Sequence, residues 1–255
     1  MSDRTGSALV TGAASGIGRA VAVRLSGEGL RVGVCDLDMD SAEAVAAALD
    51  GAFAIQADIS DPEQCRAAVD TVVDRTGQID VLVNNAGLQK VAPLPEFPDD
   101  AWDRLVAVML SGSFHTIKRA LPHMYARGHG RIVNVTSMLG QVAEPYKAAY
   151  VSAKHGLHGL TKVVALEGAA HGVTCNAVCP AYVRTPWLER TADELAASHR
   201  ISREEVIERI MLKEPAIKRL AEPDEVAGLV TFLCSDDAGF MTGAEYRIDG
   251  AFGAR

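Results

Sequence analysis

The sequence predicts a doubly wound α/β fold, because three features of its 255 residues agree. Short apolar runs alternate with amphipathic helical stretches along most of the chain. The runs are apolar on both faces, as strands are when helices cover both sides of a parallel sheet. No linker, repeat or shift in composition marks a second domain. We therefore expect a single domain over residues 1–255, built on a mostly parallel seven-stranded sheet.

Seven runs have the length and composition of buried strands. In chain order they are Ala8–Val10, Arg31–Cys35, Ala52–Gln56, Val81–Asn84, Arg131–Thr136, Thr174–Val178 and Glu245–Ile248. Apolar residues at helical spacing fill the intervals between them. They predict helices at Ile17–Gly27, Ser41–Leu49, Pro62–Arg75, Trp102–Tyr125, Tyr150–Ala170 and Pro223–Cys234. Each of the first six strands is thus followed by a helix, which is the usual connection between parallel strands.

The interval 182–218 interrupts this alternation, because it is polar, rich in acidic residues and helical in pattern. One interpretation is a pair of solvated surface helices. The other is a helical lid over a substrate, since open α/β sheets bind ligands beyond the carboxyl ends of their strands. We expect the lid.

Composition and charge exclude several classes of function. The net charge is −8 and no cluster of Lys or Arg forms a basic stripe, so neither nucleic acid nor an anionic membrane is an expected partner. No apolar run approaches the roughly 20 residues that span a bilayer, and no signal peptide precedes the first strand. We expect a cytoplasmic protein. The five cysteines include no C-x-x-C pair, which predicts core thiols and no metal site.

A glycine-rich turn follows the first strand and opens the first helix. Its glycines, Gly12, Gly16 and Gly18, are spaced G-x-x-x-G-x-G around Ser15 and Ile17. Such glycines allow a sharp turn and let a pyrophosphate approach the helix N-terminus, where free N–H groups and the helix dipole favour an anion. Glycines also serve plain turns, but the strand–turn–helix context favours a dinucleotide site.

An acidic residue at the end of the second strand points to NAD as the cofactor. Asp36 lies within about 20 residues of the glycines, where a carboxylate accepts hydrogen bonds from a ribose 2′-hydroxyl and repels a 2′-phosphate. No Lys or Arg stands inside the glycine turn to bind that phosphate. The alternative is an exposed turn residue beside Asp38 and Asp40.

The next two strand ends carry further candidates for cofactor contacts. Asp58 and Ile59 follow the third strand and are placed to hold and cover an adenine ring. The fourth strand ends in Asn84, followed after one residue by Ala86 and Gly87. There Asn84 is able to link neighbouring strands, and the glycine permits a close approach of the cofactor.

A tyrosine and a lysine predict the chemistry. Tyr150 and Lys154 are four residues apart and share one helix face. A neighbouring ammonium favours the phenolate and lowers the tyrosine pKa from its ordinary value near 10 toward a useful one. Ser137, at the end of the fifth strand, is able to donate a hydrogen bond to a substrate oxygen. The Y-x-x-x-K spacing alone is weak, but the order of all these motifs is specific.

These residues, in this order, resemble the short-chain dehydrogenase/reductase family over essentially the whole chain. The resemblance implies a Rossmann-type domain that transfers a hydride between NAD(P) and a carbinol or carbonyl carbon. It implies that Tyr150 is the acid/base and that Lys154 binds the nicotinamide ribose while lowering the tyrosine pKa. By the same resemblance, Ser137 polarises the substrate oxygen.

The resemblance also implies contacts beyond these three residues. It places Pro180, Val183 and Thr185 at the nicotinamide, with Thr185 meeting its carboxamide. It further implies a homotetramer, in which the helices predicted at Trp102–Tyr125 and Tyr150–Ala170 pair between subunits.

One position departs from the family pattern. Met109 stands where the family has the Asn that anchors a water-linked proton relay. A thioether cannot hold that water as an amide does. Either another group such as Ser111 or a rearranged water replaces it, or turnover is slow.

Several stretches are similar to the branch of the family that acts on D-3-hydroxybutyrate. In that branch a Gln just after N-N-A-G and a Lys three residues before the Tyr hold the substrate carboxylate; here these are Gln89 and Lys147. Their other interpretation is polar loop residues that face solvent. Leu139 replaces a His of that branch, and we expect Arg184 to supply a replacement cation.

The expected function is therefore NAD-dependent interconversion of a small 3-hydroxy acid, with D-3-hydroxybutyrate as first candidate, and its 3-keto acid. The lost His leaves open a 3-oxoacyl-thioester reductase or a polyol dehydrogenase. A low-activity NAD-binding sensor or assembly subunit is the alternative from another class, and Met109 is its only support.

Overall fold

Seven parallel strands form the centre of the molecule. The computed structural model describes residues 6–254, apart from the side chains at positions 194, 198 and 199. In that range the strands are β1 (Ser7–Thr11), β2 (Arg31–Asp36), β3 (Phe53–Gln56), β4 (Val81–Asn84), β5 (Gly130–Val135), β6 (Val173–Pro180) and β7 (Glu245–Ile248). They lie in one sheet in the order β3-β2-β1-β4-β5-β6-β7, and all six pairings are parallel. The predicted sheet is confirmed.

Helices cover both faces of this sheet. They are α1 (Gly16–Gly27), α2 (Met39–Ala47), α3 (Pro62–Thr76), α4 (Asp99–Val106), α5 (Gly112–Arg127), α6 (Ala148–Gly168), α7 (Pro186–His199), α8 (Arg203–Val206) and α9 (Pro223–Cys234). Alternate strand residues point to opposite faces. Ala8 and Val10 pack in the cluster that includes α1, α2 and α9, whereas Leu9 packs in the cluster that includes α3, α5 and α6.

The strand order creates a cleft at one edge of the sheet. The chain leaves β1 toward β2 and β3 on one side, and it returns to pair β4 with β1 on the other. At such a switch point the connections that follow β1 and β4 diverge, which opens a crevice for a ligand. The glycine turn after β1 and the N-N-A-G segment after β4 both lie at this crevice.

The single long helix predicted at Trp102–Tyr125 is divided in the structure. It begins earlier, at Asp99, and a π-helical turn over Ala107–Ser111 separates α4 from α5. A Cβ at Gly112, directly after the π-helical turn, would clash with the carbonyl oxygen of Ile59. The helix therefore packs very closely on the segment after β3 at this point, a tertiary constraint that the helical pattern alone does not contain. Helix α2 likewise begins earlier than predicted, since Asp38 caps it by accepting from the Ser41 backbone N–H.

The interval 182–218 contains two helices, as its pattern indicated. Helix α7 and helix α8, which continues into a π-helical turn over Ile207–Met211, share a small apolar cluster. Its buried members are Leu188, Ala192, Val206, Met211, Leu212 and Leu220. This cluster is separate from the two that cover the sheet, so the helical pair has a small core of its own. None of the helices within residues 6–254 is long and apolar enough to cross a membrane.

Candidate active site

The glycine turn is held by side chains from both strands of the crevice. Asn85 donates from Nδ2 to the carbonyl oxygens of Thr11 and Gly12, each at 3.0 Å. The Thr11 hydroxyl in turn accepts from the backbone N–H groups of Asn85 and Ala86, at 3.0 and 3.1 Å. A Cβ at Gly12, whose φ is +63°, would lie 3.0 Å from Ala86 Cα, so the turn and the N-N-A-G segment touch through their backbones.

The N-terminus of α1 is open toward the crevice. Ser15 is its N-cap residue, but the Ser15 side chain makes no capping hydrogen bond to the first turn. The first N–H groups of a helix lack partners within the helix and attract an anion. A Cβ at Gly16 would lie 3.1 Å from Thr185 Cγ2, and one at Gly18 would clash with the carbonyl oxygen of Gly12. Close backbone approach and uncapped N–H groups together fit a pyrophosphate.

Asp36 is joined to the glycine turn. It ends β2, and its Oδ2 accepts from the Ala14 backbone N–H at 3.0 Å, while Oδ1 accepts from Asp38 N–H at 3.3 Å. The carboxylate is therefore fixed beside the glycine turn and not left as a free surface group. This position suits a ribose hydroxyl.

The residues after β3 have structural partners. Asp58 accepts from Arg104 Nη1 at 2.9 Å and from Ser60 Oγ at 2.8 Å, and these hydrogen bonds lower the pKa of Asp58, against the effect of its burial. Ile59 is buried beneath Gly112. The Asn84 side chain also lies in the interior, where its Nδ2 donates to Asn134 Oδ1 at 2.9 Å. It links β4 to β5, and its side chain is not turned to the crevice.

The three predicted catalytic residues lie together at the carboxyl end of β5. Lys154 is buried and donates from Nζ to the Val135 carbonyl oxygen at 2.9 Å, and Nζ lies 5.6 Å from the centre of the Tyr150 ring. Ser137 lies within hydrogen-bonding reach of the Tyr150 phenol. The Ser137 hydroxyl also accepts from the Leu139 N–H at 3.1 Å, which begins the short 3₁₀ turn Met138–Gly140.

The pKa of Tyr150 differs in direction from the sequence prediction. Burial raises the pKa of Tyr150 above its ordinary value in the protein alone, and the hydrogen bond with Ser137 acts in the opposite direction. Burial also lowers the pKa of Lys154 from its ordinary value of 10.5 to about 8. Both shifts have one cause, because a low-dielectric site disfavours the charged form of either group.

Met109 lies inside the protein, in the π-helical turn. Its side chain is 1% exposed and packs with Leu105, Val108 and the start of α6, close to Tyr150. A Cβ at Gly87 would lie 3.8 Å from Met109 Sδ. Met109 thus joins the N-N-A-G segment to the start of α6 through apolar contact.

The two predicted carboxylate-binding residues lie on loops that are joined. The Ala92 N–H donates to the Tyr146 carbonyl oxygen at 3.0 Å, which connects the loop after Gln89 to the one that carries Lys147. Tyr146 has a φ of +69°, an unusual backbone conformation for a large side chain. Lys147 Nζ itself forms an ion pair with Glu144 at 2.8 Å.

The other predicted cation is also paired. Arg184 Nε donates to Glu222 Oε1 at 2.9 Å, and both side chains are half-exposed. Pro180 ends β6, and Val183 is buried and bridges to Ala221. Thr185 caps α7 by accepting from the Leu188 N–H at 3.2 Å. Of these residues, Thr185 touches the glycine turn.

A cavity of about 370 Å³ opens beside the Ser137 turn. Most of its lining is apolar, with Tyr182 and two acidic residues, Glu144 and Glu214. The remaining lining residues are Leu139, Val142, Ala143, Ile210, Phe252 and Gly253. The segment 182–218 and the residues after β7 thus contribute to the same space as the turn after β5.

Sequence reasoning missed several residues that shape this site. Asn85 lies within the N-N-A-G motif, but only the structure shows that it carries the glycine turn. Glu144 stands three residues before Lys147, a spacing that favours the ion pair observed between them. His158 pairs with Glu245, and neither residue has a local sequence signal for this contact because the two come from distant elements.

Comparisons with known proteins identify the family and several relatives of this chain. A family model described as short chain dehydrogenase matches residues 7–196. The chain is 42% identical to the D-beta-hydroxybutyrate dehydrogenase of Rhizobium meliloti (strain 1021), over 98% of this chain and 100% of the relative. It is 38% identical to that of Cupriavidus necator, over 97% and 98%. It is also 37% identical to the 3-oxoacyl-[acyl-carrier-protein] reductase FabG of Staphylococcus aureus (strain Mu50), over 96% and 97%.

Proposed function

Since this chain belongs to the short-chain dehydrogenase/reductase family and is an oxidoreductase, we propose that it interconverts a small 3-hydroxy acid and its 3-keto acid with NAD. D-3-hydroxybutyrate is the first candidate, because two relatives with that printed activity align over nearly the whole chain. One observation carries the proposal: Ser137, Tyr150 and Lys154 meet at the carboxyl end of β5, on the edge of the sheet that also carries the glycine turn.

The side chains divide the work of a hydride transfer. NAD, when bound, accepts or supplies the hydride. The Tyr150 oxygen takes the proton from a substrate alcohol or returns it to a carbonyl, and the Ser137 hydroxyl donates a hydrogen bond to the same substrate oxygen. Lys154 carries its charge below a pKa of about 8, so at neutral pH it favours the Tyr150 phenolate electrostatically.

The preference for NAD over NADP rests on Asp36. Its carboxylate is held in place by Ala14 N–H beside the glycine turn. A fixed negative charge there accepts hydrogen bonds from a ribose diol and opposes a 2′-phosphate. Gly12, Ser15, Gly16, Ile17 and Gly18 would hold the pyrophosphate.

The proposal that the substrate is an anion rests on Lys147 and Gln89. Lys147 supplies a charge and Gln89 a neutral donor, on loops joined by the Ala92–Tyr146 hydrogen bond. In the protein alone, Lys147 forms an ion pair with Glu144. A substrate carboxylate must therefore displace the Glu144 carboxylate in order to bind Lys147. Arg184 is held by Glu222 and is the weaker of the two cations we propose.

A second candidate, a 3-oxoacyl-thioester reductase, is favoured by the cavity. Its apolar walls and volume of about 370 Å³ suit an acyl chain longer than four carbons. The staphylococcal reductase is a relative with such a printed activity.

The segment 182–218 is proposed as the lid over this site, within a single domain of residues 1–255. Its own small core supports movement as a unit, and Thr185 at the start of α7 touches Gly16. A homotetramer paired through α5 and α6 is also proposed. Exposed apolar residues on these helices, Phe114, Val163 and Leu166, support it.

A panel of substrates tests the proposed reaction. Acetoacetate, a 3-oxoacyl thioester and a polyol are each incubated with the matching NAD or NADP form, and absorbance at the nicotinamide band is followed. We expect NADH-dependent reduction of acetoacetate, and loss of about 10³-fold or more in Tyr150→Phe with NADH binding retained. Turnover of only the thioester would favour the second candidate. NADH binding without turnover of any substrate would favour a sensor or assembly subunit.

A further inference from the structure

A cluster of polar side chains lies behind Ser137, on the side away from the glycine turn. His158, one turn of α6 beyond Lys154, is buried. Its Nδ1 lies 3.1 Å from Glu245 Oε2 of β7, and its Nε2 lies 2.9 Å from the Thr136 hydroxyl. Through the imidazole ring of His158, Glu245 is thus linked to Thr136, the residue directly before Ser137.

The same carboxylate also holds the other side of the Ser137 turn. Gln141, which follows the 3₁₀ turn Met138–Gly140, donates from Nε2 to Glu245 Oε2 at 2.8 Å. Between the two attachments, Gly140 lies against the imidazole: a Cβ there would come within 2.8 Å of His158 Nε2. We call Glu245, His158, Thr136 and Gln141 the Glu245 clamp.

The clamp is continuous with the contacts of the catalytic residues. Thr136 N–H donates to the Val178 carbonyl oxygen at 2.8 Å, and the Thr136 hydroxyl oxygen lies 2.9 Å from the same atom, so Thr136 is fixed to β6. The peptide on one side of Thr136 carries the Val135 carbonyl that accepts from Lys154, and Ser137 follows on the other side. A displacement of Thr136 therefore moves both the Lys154 acceptor and the Ser137 hydroxyl.

Charge decides the form in which His158 acts. Burial lowers the pKa of His158, and Lys162, His155 and Lys154 act in the same direction, while Glu245 raises it. From β6, Cys179 Sγ also faces the ring, at 3.5 Å from His158 Nε2. A neutral ring that donates Nδ1–H to the Glu245 carboxylate has Nε2 as an acceptor for Thr136. Glu245 also pairs with Lys162 at 2.8 Å, which keeps its carboxylate in place.

We propose that Glu245 and His158 are positioning residues, which hold the Ser137 turn and the Val135 carbonyl in register with Tyr150 and Lys154. This role rests on the proposed function of Ser137, Tyr150 and Lys154. It adds two residues from α6 and β7 that touch neither substrate nor cofactor and that act through Thr136 and Gln141.

Steady-state kinetics of Glu245→Ala and His158→Leu test the role, with acetoacetate and NADH as substrates. A misplaced hydroxyl acts on the transition state, so we expect kcat to fall on the order of tenfold or more, with the Kd of NADH unchanged. His155→Gln is the matched control, because His155 lies on the same helix one residue after Lys154 but is exposed. Ser137→Ala gives the loss expected when the hydroxyl is absent.

A second readout does not depend on turnover. The ring ¹⁵N shifts of His158 report which nitrogen carries the proton, and we expect the Nδ1–H form in the wild type and its loss in Glu245→Ala. Should Glu245→Ala fail to fold, Glu245→Gln carries the same test. It keeps the side-chain volume, removes the charge, and is expected to lower kcat by about threefold.

The outcomes separate the two levels of the proposal. A kcat within twofold of the wild type in Glu245→Ala, Glu245→Gln and His158→Leu, with activity lost in Ser137→Ala, would overturn the positioning role alone. Activity that survives Ser137→Ala overturns the proposed reaction site and the positioning role together. An equal loss in His155→Gln would also overturn it, since the effect would then follow any change on this helix.

Discussion

Lys154 is a single side chain whose burial as a charged group lowers the stability of the fold. Its ammonium lies in the interior with the Val135 carbonyl as its hydrogen-bond partner, and burial lowers its pKa from 10.5 to about 8. A basic group with a lowered pKa binds its proton more weakly in the folded state than in the unfolded one. Below pH 8 the folded protein therefore carries the full cost of burying the charge, and above pH 10.5 it carries none.

We expect Lys154→Met to abolish turnover and to stabilise the fold at pH 7 by about 1–3 kcal/mol, because an apolar side chain of similar length replaces a buried charge. Denaturant unfolding at pH 7 and at pH 10.5 measures this, and the gain should shrink toward the higher pH. Lys162→Met, at an exposed position on the same helix, is the control for the loss of a positive charge. A gain that is equal at both pH values would contradict the assignment.

In the proposed substrate site, Glu144 sets how much of the Lys147 charge a substrate meets. The two side chains are 2.8 Å apart. We expect Glu144→Gln to lower the KM for 3-hydroxybutyrate about threefold or more at unchanged kcat, since the substrate carboxylate no longer competes with a protein carboxylate. A neutral secondary alcohol serves as the control substrate, and its KM should not change. An unchanged KM for the anion would remove Lys147 from the substrate site.

Among the elements, the helix pair α4–α5 differs most from what the sequence predicts. Apolar spacing identifies a helix there correctly, but it does not show the π-helical turn over Ala107–Ser111. That turn lies where Gly112 packs on the Ile59 carbonyl, a contact between segments far apart in the chain. A prediction from local pattern has no access to such a contact. The strands are predicted more closely, because an apolar run by itself indicates a strand that is buried on both faces.

The same turn contains the position at which the family pattern is broken. Met109 is 1% exposed among apolar side chains. We expect Met109→Asn to remain folded but to lose about 2 kcal/mol of stability, because a buried amide replaces a thioether. We also expect its kcat to rise severalfold, because an amide is able to hold a relay water. Thermal unfolding and the pH dependence of kcat measure the two effects.

Met109→Leu is the matched control, since it keeps the volume and adds no polar group. Its kcat and pH profile should equal those of the wild type. If Met109→Asn also leaves both unchanged, the proton relay of this protein does not depend on this position, and the concern about slow turnover is removed.

Across the molecule as a whole, the parallel seven-stranded sheet and the approach of Ser137, Tyr150 and Lys154 were predictable, but the charge balance around Lys147 and Arg184 was not. The glycine turn, Asp36, Ser137 and the Y-x-x-x-K pair each lie close to a strand end or share one helix, so local spacing identifies them. The positive charge predicted for this pocket is neutralised, because Lys147 and Arg184 each form an ion pair with a glutamate. Pairing depends on which loops meet, and Arg184 finds Glu222 only after folding.

The proposed homotetramer provides a test at this level. Leu166 is 81% exposed on α6 although it is apolar. We expect Leu166→Glu to lower the oligomeric state measured by light scattering after gel filtration, because a buried carboxylate disfavours the interface. Val23→Glu, at an exposed apolar position of α1, is the control and should leave the mass unchanged. An unchanged mass in Leu166→Glu would exclude pairing through this part of α6.

The order in which the strands join the sheet bears on how the protein is made. From β5 onward each strand pairs with the one before it in the chain, so this half of the sheet grows in the direction in which a ribosome delivers the chain. β7, which carries Glu245, emerges last of the described strands. A nascent chain that still lacks it already contains the glycine turn, Ser137, Tyr150 and Lys154. Synthesis therefore delivers the glycine turn, Ser137, Tyr150 and Lys154 before Glu245, the residue that completes the Glu245 clamp.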